Sequence, residues 1–157
     1  MIEARKEFML AAIDEAIKAR GLGDYAIGAV VVRGDQMLSR ATNRSKQLTD
    51  ATLHAEIVAI RDASKKLGSR YLDGCILYAT HEPCPMCAAA AVWAKMAGIV
   101  SGAKMEDMAD YRSVKGNETW QWRTIAISAR EVLAKGDPKL EIIEEFMRDE
   151  CRNLFHS

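Results

Sequence analysis

Apolar residues recur at Phe8, Ala12, Ile13, Ala16 and Ile17, the spacing of an amphipathic helix over residues 3–20, and Gly21 with Gly23 ends it. Residues 26–32 form a dense apolar run rich in β-branched side chains. Gly34-Asp35 then predicts a hairpin into a second strand at 36–41. Residues 42–51 are polar and aperiodic, which makes them a loop. A helix follows over 53–67, packed through Ile57, Ile60 and Leu67, and then a strand over 75–80. The alanine-rich stretch 84–96 favours a helix, with Pro85 at an early position that tolerates proline, and 99–103 reads as a fourth strand.

The pattern weakens after that. Residues 104–122 are mixed, and 124–128 alternate weakly, as a strand would. Residues 137–155 suit either one helix or a short strand at 140–143 followed by a helix from about Glu144. Helices lying between successive strands imply crossovers and covered sheet faces, hence a three-layer α/β/α sandwich with a mixed sheet. A chain of 157 residues suits one domain spanning 1–157.

Composition narrows the function classes. Lys plus Arg balance Asp plus Glu at 22 each, so the total charge gives no sign of a nucleic-acid binder. No run approaches the roughly 18 apolar residues of a membrane span. The amino-terminal stretch mixes acids and bases along its apolar stripe, unlike a signal peptide, so a cytoplasmic location is expected. Cys75 and Cys151 read as small buried apolar side chains. Cys84 and Cys87 need another account.

Cysteines three apart at a helix start face one way, and the helix amino terminus favours the thiolates. A lone Cys-x-x-Cys of this kind is compatible with a redox pair. His54 and Glu56, on the preceding helix, turn the reading toward a metal. His54, Cys84 and Cys87 supply three zinc ligands and leave a fourth position for water, the arrangement of a catalytic rather than a structural site. Glu56, two residues after His54, is placed to move protons. His81 is a pocket-wall or packing residue in preference to a fourth ligand, and His156 is expected in solvent.

His-x-Glu followed by Pro-Cys-x-x-Cys resembles the signature of the cytidine and deoxycytidylate deaminase superfamily. Within it, residues 5–103 are similar to the branch of guanine deaminases, fungal-type cytosine deaminases and tRNA adenosine deaminases. The resemblance implies a cytidine deaminase-like mixed five-stranded sheet and one zinc per subunit, held by His54, Cys84 and Cys87. It implies Glu56 as proton shuttle, Asn43 as a side chain holding the base, and Ile27, Gly28 and Ala29 lining its pocket. Ala55 and Pro83 would contribute backbone around the reacting group.

Glu82 through Cys87, with Trp93 six residues beyond, looks like the guanine deaminase pattern and makes Trp93 a candidate ring wall, although a tryptophan on a helix is ordinarily a core residue. Ile27 and Ala51-Thr52-Leu53 look like cytosine deaminase. The expectation is therefore hydrolytic deamination of a free heterocyclic amine, guanine first and cytosine second. A tRNA adenosine deaminase, a nucleoside or nucleotide deaminase and a non-catalytic zinc module stand as alternatives. The acidic terminal region, with Glu141, Glu144, Glu145, Asp149 and Glu150, sets a nucleic-acid partner behind a small molecule. Asp107 and Asp110 are candidates for the acid that reads a purine. The resemblance also implies a homodimer, with Ala88, Ala91, Val92 and the stem of Lys95 as a packing face. Trp120 and Trp122, flanking Gln121, cover substrate, a subunit contact or the terminal helix.

Overall fold

A computed structural model describes residues 1–155, so the expectation for His156 lies outside the described residues. Eleven elements are present among them: α1 (Lys6–Gly21), β1 (Gly28–Arg33), β2 (Gln36–Thr42), α2 (Ala55–Leu67), β3 (Ile76–His81), α3 (Pro85–Trp93), β4 (Gly98–Ala103), α4 (Met105–Lys115), α5 (Ala129–Ala134), β5 (Glu141–Ile143) and α6 (Arg148–Arg152). The strands form one five-stranded sheet in the order β2-β1-β3-β4-β5. β1 runs antiparallel to β2 and β3, whereas β3, β4 and β5 are parallel. The sheet is mixed, as expected.

Alternation along the strands divides the interior in two. Ala29 and Val31 of β1, Leu77 of β3 and Ile99 of β4 face α2, α3 and α5. Val30, Val32, Tyr78 and Val100 face α1 and Cys151 of α6. A strand covered on both faces has no polar side to show, which is why β1 reads as a continuous apolar run. Cys75 and Cys151 are fully buried and unbridged, in line with their reading as small core residues.

The structure departs from the pattern in places and decides between its alternatives in another. α4 was not legible, because Asp107 is the residue it buries and no apolar stripe marks it. Residues 124–128 form no strand; β4 already has β3 and β5 as neighbours, and the segment runs irregularly over the surface. At the chain end the strand-then-helix alternative is the one found, with β5 paired to β4 and only a short α6. Ala88 and Ala91 lie inside the first core and are not available as an external packing face. Among the described residues no helix is long and apolar enough to cross a membrane.

Gly28 is a packing position. A Cβ there would stand 2.0 Å from the Ala12 carbonyl oxygen and 2.6 Å from the Ala16 nitrogen, so α1 lies directly on the strand. Gly28→Ala is expected to destabilise the fold by about 1–3 kcal/mol through overpacking, read as a lower urea midpoint at unchanged slope. A midpoint equal to that of the parent would remove the packing role.

Candidate active site

α2 and α3 begin side by side, and their first residues carry the polar centre. His54 is the N-cap of α2 and Cys84 that of α3, with Pro85 at the first helical position. Glu56 and Cys87 follow one turn or less inside each helix. His54 Nδ1 lies 3.6 Å from both Cys84 Sγ and Cys87 Sγ, and the two sulfurs are 3.7 Å apart. Ideal tetrahedral zinc, with bonds of about 2.3 Å to sulfur and 2.0–2.1 Å to nitrogen, separates its ligands by roughly 3.6 Å (S to N) and 3.8 Å (S to S). The donor triangle therefore has the size of a zinc shell, and all three ligand atoms lie within 4.8 Å of one another. Glu56 Oε2 lies 3.5 Å from Cys87 Sγ, beside the face the triangle leaves open.

The protonation of these groups follows from their contacts. The hydrogen bond from Cys87, then that from His54, holds the Cys84 thiol down at about 4, whereas Cys87 is pushed well above the usual thiol range. The contact with Cys84 raises His54. Burial raises Glu56, opposed by His54, so this carboxyl holds a proton more readily than an exposed glutamate. A divalent cation held by His54, Cys84 and Cys87 would take the place of these shared protons, since both sulfurs must ligate as thiolates.

A cavity of about 500 Å³ opens over this centre. His54, Glu56 and Cys84 form its floor, with Pro83 and Met86 beside them; Ile27 and Asn43 form one wall. Another wall is a face of α4, Met105, Met108 and Arg112, whose spacing of three and four places them in line. Residues 122–127 supply the rest through Trp122, Arg123, Thr124, Ile125 and Ile127. Glu82 ties these walls to the floor: its carboxylate accepts the Met105 N–H (3.1 Å) and the Ala129 N–H (3.0 Å) at the starts of α4 and α5.

The predicted residues separate cleanly. Ile27, Asn43 and Pro83 stand in the cavity with His54, Glu56 and Cys84, and Cys87 is buried just behind them. Gly28, Ala29 and Ala55 lie behind the lining: Gly28 donates its N–H to Thr80 Oγ1, Ala29 is paired in the sheet and Ala55 packs in the core. Trp93 is a correction. It ends α3 with 81% of its surface exposed, neither in the core nor in the cavity, because the helix directs its first turn at the centre and its last turn outward. Asp107 is no purine reader here; Arg148 holds it through two hydrogen bonds of 2.7 and 2.9 Å. Asp110 lies outside this cavity as well.

Trp122 lines the cavity, nearly buried, in a left-handed backbone conformation (φ 47°). Its indole stacks on His81, with centroids 5.4 Å apart and planes 23° from parallel, and meets Tyr25 edge-on. His81 Nδ1 lies 2.8 Å from Thr80 Oγ1, and it is no part of the donor triangle. The α4 face, Arg123 and Glu82 were missed. The i, i+3, i+7 spacing of Met105, Met108 and Arg112 was the available signal, obscured by its mixed polarity.

Residues 2–103 match the sequence pattern of the cytidine and deoxycytidylate deaminase zinc-binding region. The tRNA-specific adenosine deaminase of Aquifex aeolicus is 37% identical over 99 residues, covering 63% of this chain and 66% of its own length. The chain thus spans slightly under two thirds of that relative. The tRNA-specific adenosine deaminase of Buchnera aphidicola is 31% identical across the whole chain and 89% of its own. The solved structure of guanine deaminase from Bacillus subtilis superposes with a TM-score of 0.66 at 36% identity, covering 69% of each chain. The ranking of a nucleic-acid partner behind a small molecule is therefore corrected. It rested on total charge and an acidic chain end, whereas relatives bearing tRNA-specific names align with the chain. Moreover, Arg130 and Arg148 pair with Glu144 and Glu145 of that end.

Burial lowers the His81 pKa to about 3. Unfolding restores an ordinary imidazole, so the unfolded chain binds the extra proton between about pH 6.5 and 3. The stability contributed is complete above the unfolded value and is lost as pH falls through this window. His81 alone is expected to remove about 2 kcal/mol between pH 7 and pH 5. Urea titrations at the two pH values, with His81→Leu as the control lacking this slope, measure it; equal slopes in both proteins would contradict it.

Proposed function

The chain belongs to the family of the cytidine and deoxycytidylate deaminase zinc-binding region, and we propose that it is a zinc-dependent aminohydrolase acting on an adenosine presented in tRNA. In this reading residues 1–157 act as one domain. The observation that carries it is a zinc-sized donor triangle with a buried carboxyl beside it, at the floor of a cavity with two exposed guanidinium groups, Arg112 and Arg123, on its walls. The relatives named as tRNA-specific support the choice of substrate.

Zinc held by His54, Cys84 and Cys87 would bring the ionisation of a water close to neutrality. Glu56 takes up the proton so released and gives it to the ring nitrogen as the oxygen adds to the amino-bearing carbon; it then takes the second proton from the added hydroxyl and passes it to the amino group as the C–N bond breaks. Ammonia leaves, and a carbonyl stands where the amino group was. The raised Glu56 pKa suits a group that must both accept and give. Ile27 packs against the base and Asn43 holds the nucleoside on the same side, Trp122 offers an indole for stacking, and Pro83 with Met86 closes the floor. Arg112 and Arg123 meet the phosphates flanking the target nucleotide.

A second reading is deamination of free guanine. The similarity to Bacillus subtilis guanine deaminase favours it, and a purine fits a cavity of about 500 Å³ lined by methionine and isoleucine side chains.

Zinc-loaded protein incubated with an adenosine-bearing anticodon stem-loop, and separately with guanine, separates the readings through ammonia release and product mass. The stem-loop is expected to turn over, and Glu56→Ala to lose roughly 10²–10⁴-fold in kcat. Arg123→Ala is expected to weaken stem-loop binding and to flatten its log–log salt dependence by about 0.7. Guanine turnover with an untouched stem-loop would reverse the order of the two readings.

A further inference from the structure

The direction of one hydrogen bond into the cavity is fixed by the protein alone. Among the described residues, Asp24, fully buried between α1 and β1, receives at least four N–H donors. Its Oδ1 accepts the Tyr25 backbone N–H and the Asn43 side-chain amide, each at 2.8 Å. Its Oδ2 accepts the backbone N–H groups of Lys46 and Gln47, each at 3.0 Å. A carboxylate so surrounded offers only acceptors, so the Asn43 amide must turn its NH2 toward it. The same nitrogen also donates to Ser45 Oγ at 3.0 Å. A primary amide has two donor hydrogens, and the protein uses both. The Asn43 backbone is held too, its N–H donating to the Ile27 carbonyl at 3.0 Å. Asn43 lines the cavity, and Oδ1 is the part of its side chain left for a ligand.

Building on the deaminase reading above, we propose that Asn43 meets substrate solely as a hydrogen-bond acceptor. Asp24 is the positioning residue that makes it so, and the site selects substrates bringing an N–H or O–H donor to this wall. For adenosine the consequence is specific. Its amino group must face Glu56 and the metal ligands, and ring positions N1, N3 and N7 only accept. Within a polynucleotide the 3′ and 5′ oxygens are esterified, so the 2′-hydroxyl is the donor that remains. Asn43 then distinguishes RNA from DNA at the target nucleotide. For free guanine, whose 2-amino group is the one that leaves, the remaining donors are the N1–H and the imidazole-ring N–H, removed by methylation at N1 and at N9 respectively.

The test measures kcat/KM for three stem-loops whose target nucleotide is adenosine, 2′-deoxyadenosine or 7-deazaadenosine. The 2′-deoxy substitution is expected to cost roughly 10- to 100-fold, one lost hydrogen bond with a buried acceptor left unpaired. The 7-deaza substitution should cost less than about threefold, because N7 has no donor to meet. In Asn43→Ala the 2′-deoxy penalty should shrink to within about twofold. In Asp24→Asn the neighbouring amide can itself donate, Asn43 is free to turn over, and the ratio of the two penalties should move toward 7-deaza. A purely structural role for Asp24 would lower all three substrates together and leave the ratios unchanged. Should Asp24→Asn fail to fold, the wild-type ratios and Asn43→Ala still decide. A 7-deaza penalty exceeding the 2′-deoxy penalty in the wild type overturns the proposal. If guanine but no stem-loop turns over, the RNA reading falls and the proposal is judged on 1-methylguanine and 9-methylguanine. A loss of the same size with either one, relieved in Asn43→Ala, upholds it, and turnover of both equal to guanine overturns it.

Discussion

The side-by-side start of two helices is the constraint on which the rest of this structure hangs. α2 and α3 both pack on the face of the sheet formed by Ala29, Val31, Leu77 and Ile99, and their first turns meet at His54, Cys84 and Cys87. The small residues Ala55, Ala59 and Ala63 of α2, with Ala88 and Ala91 of α3, allow the two helices to lie close to the sheet and to each other. Two helix amino termini directed at one point also favour the anionic sulfurs that a zinc shell needs. Neither cysteine pair nor histidine alone defines a catalytic centre. The packing that brings them to within 3.7 Å does.

The cavity above that centre is held by buried polar side chains, each of which would cost stability if left unpaired. Glu82 satisfies the first N–H groups of α4 and α5, and Asp24 satisfies four donors of the opposite wall. The two carboxylates thus work as mirror-image anchors, one for the segment 105–129 and one for the segment 43–47. Around them an aromatic group of Tyr25, His81, Trp122 and Phe155 packs edge to face and face to face, fixing the indole that stands in the cavity. In a chain of neutral total charge, Arg112 and Arg123 line this cavity, while Arg130 and Arg148 pair with Glu144 and Glu145 of the terminal region.

What the sequence disclosed follows the same physics. The strands β1, β3 and β4 are buried on both faces and appear as apolar runs, and the hairpin to β2 announces itself through Gly34-Asp35. His54, Glu56, Cys84 and Cys87 were legible because metal chemistry restricts both residue type and spacing. The wall of Ile27 and Asn43 was legible through the resemblance, but those of α4 and residues 122–127 were not, for these elements bury little apolar surface and leave no periodic trace. Trp93 shows the converse error. Its place six residues beyond Cys87 suggested a ring wall, yet six residues turn a helix by about 600°, roughly 120° away from the face that Cys87 presents. Total charge misled for a related reason, since pairing and placement, not the sum, decide what a surface attracts.

X-ray absorption at the zinc edge, on the purified, zinc-loaded protein, would measure the geometry of the centre formed by His54, Cys84 and Cys87 most directly. The predicted spectrum has two sulfur neighbours near 2.3 Å and one imidazole nitrogen with one further light atom near 2.0–2.1 Å, one zinc per chain; a Cys87→Ser protein should lose a sulfur neighbour or the metal itself. Four protein ligands closing the shell, or no zinc retained by the folded wild type, would contradict the reading of this site as a hydrolytic centre.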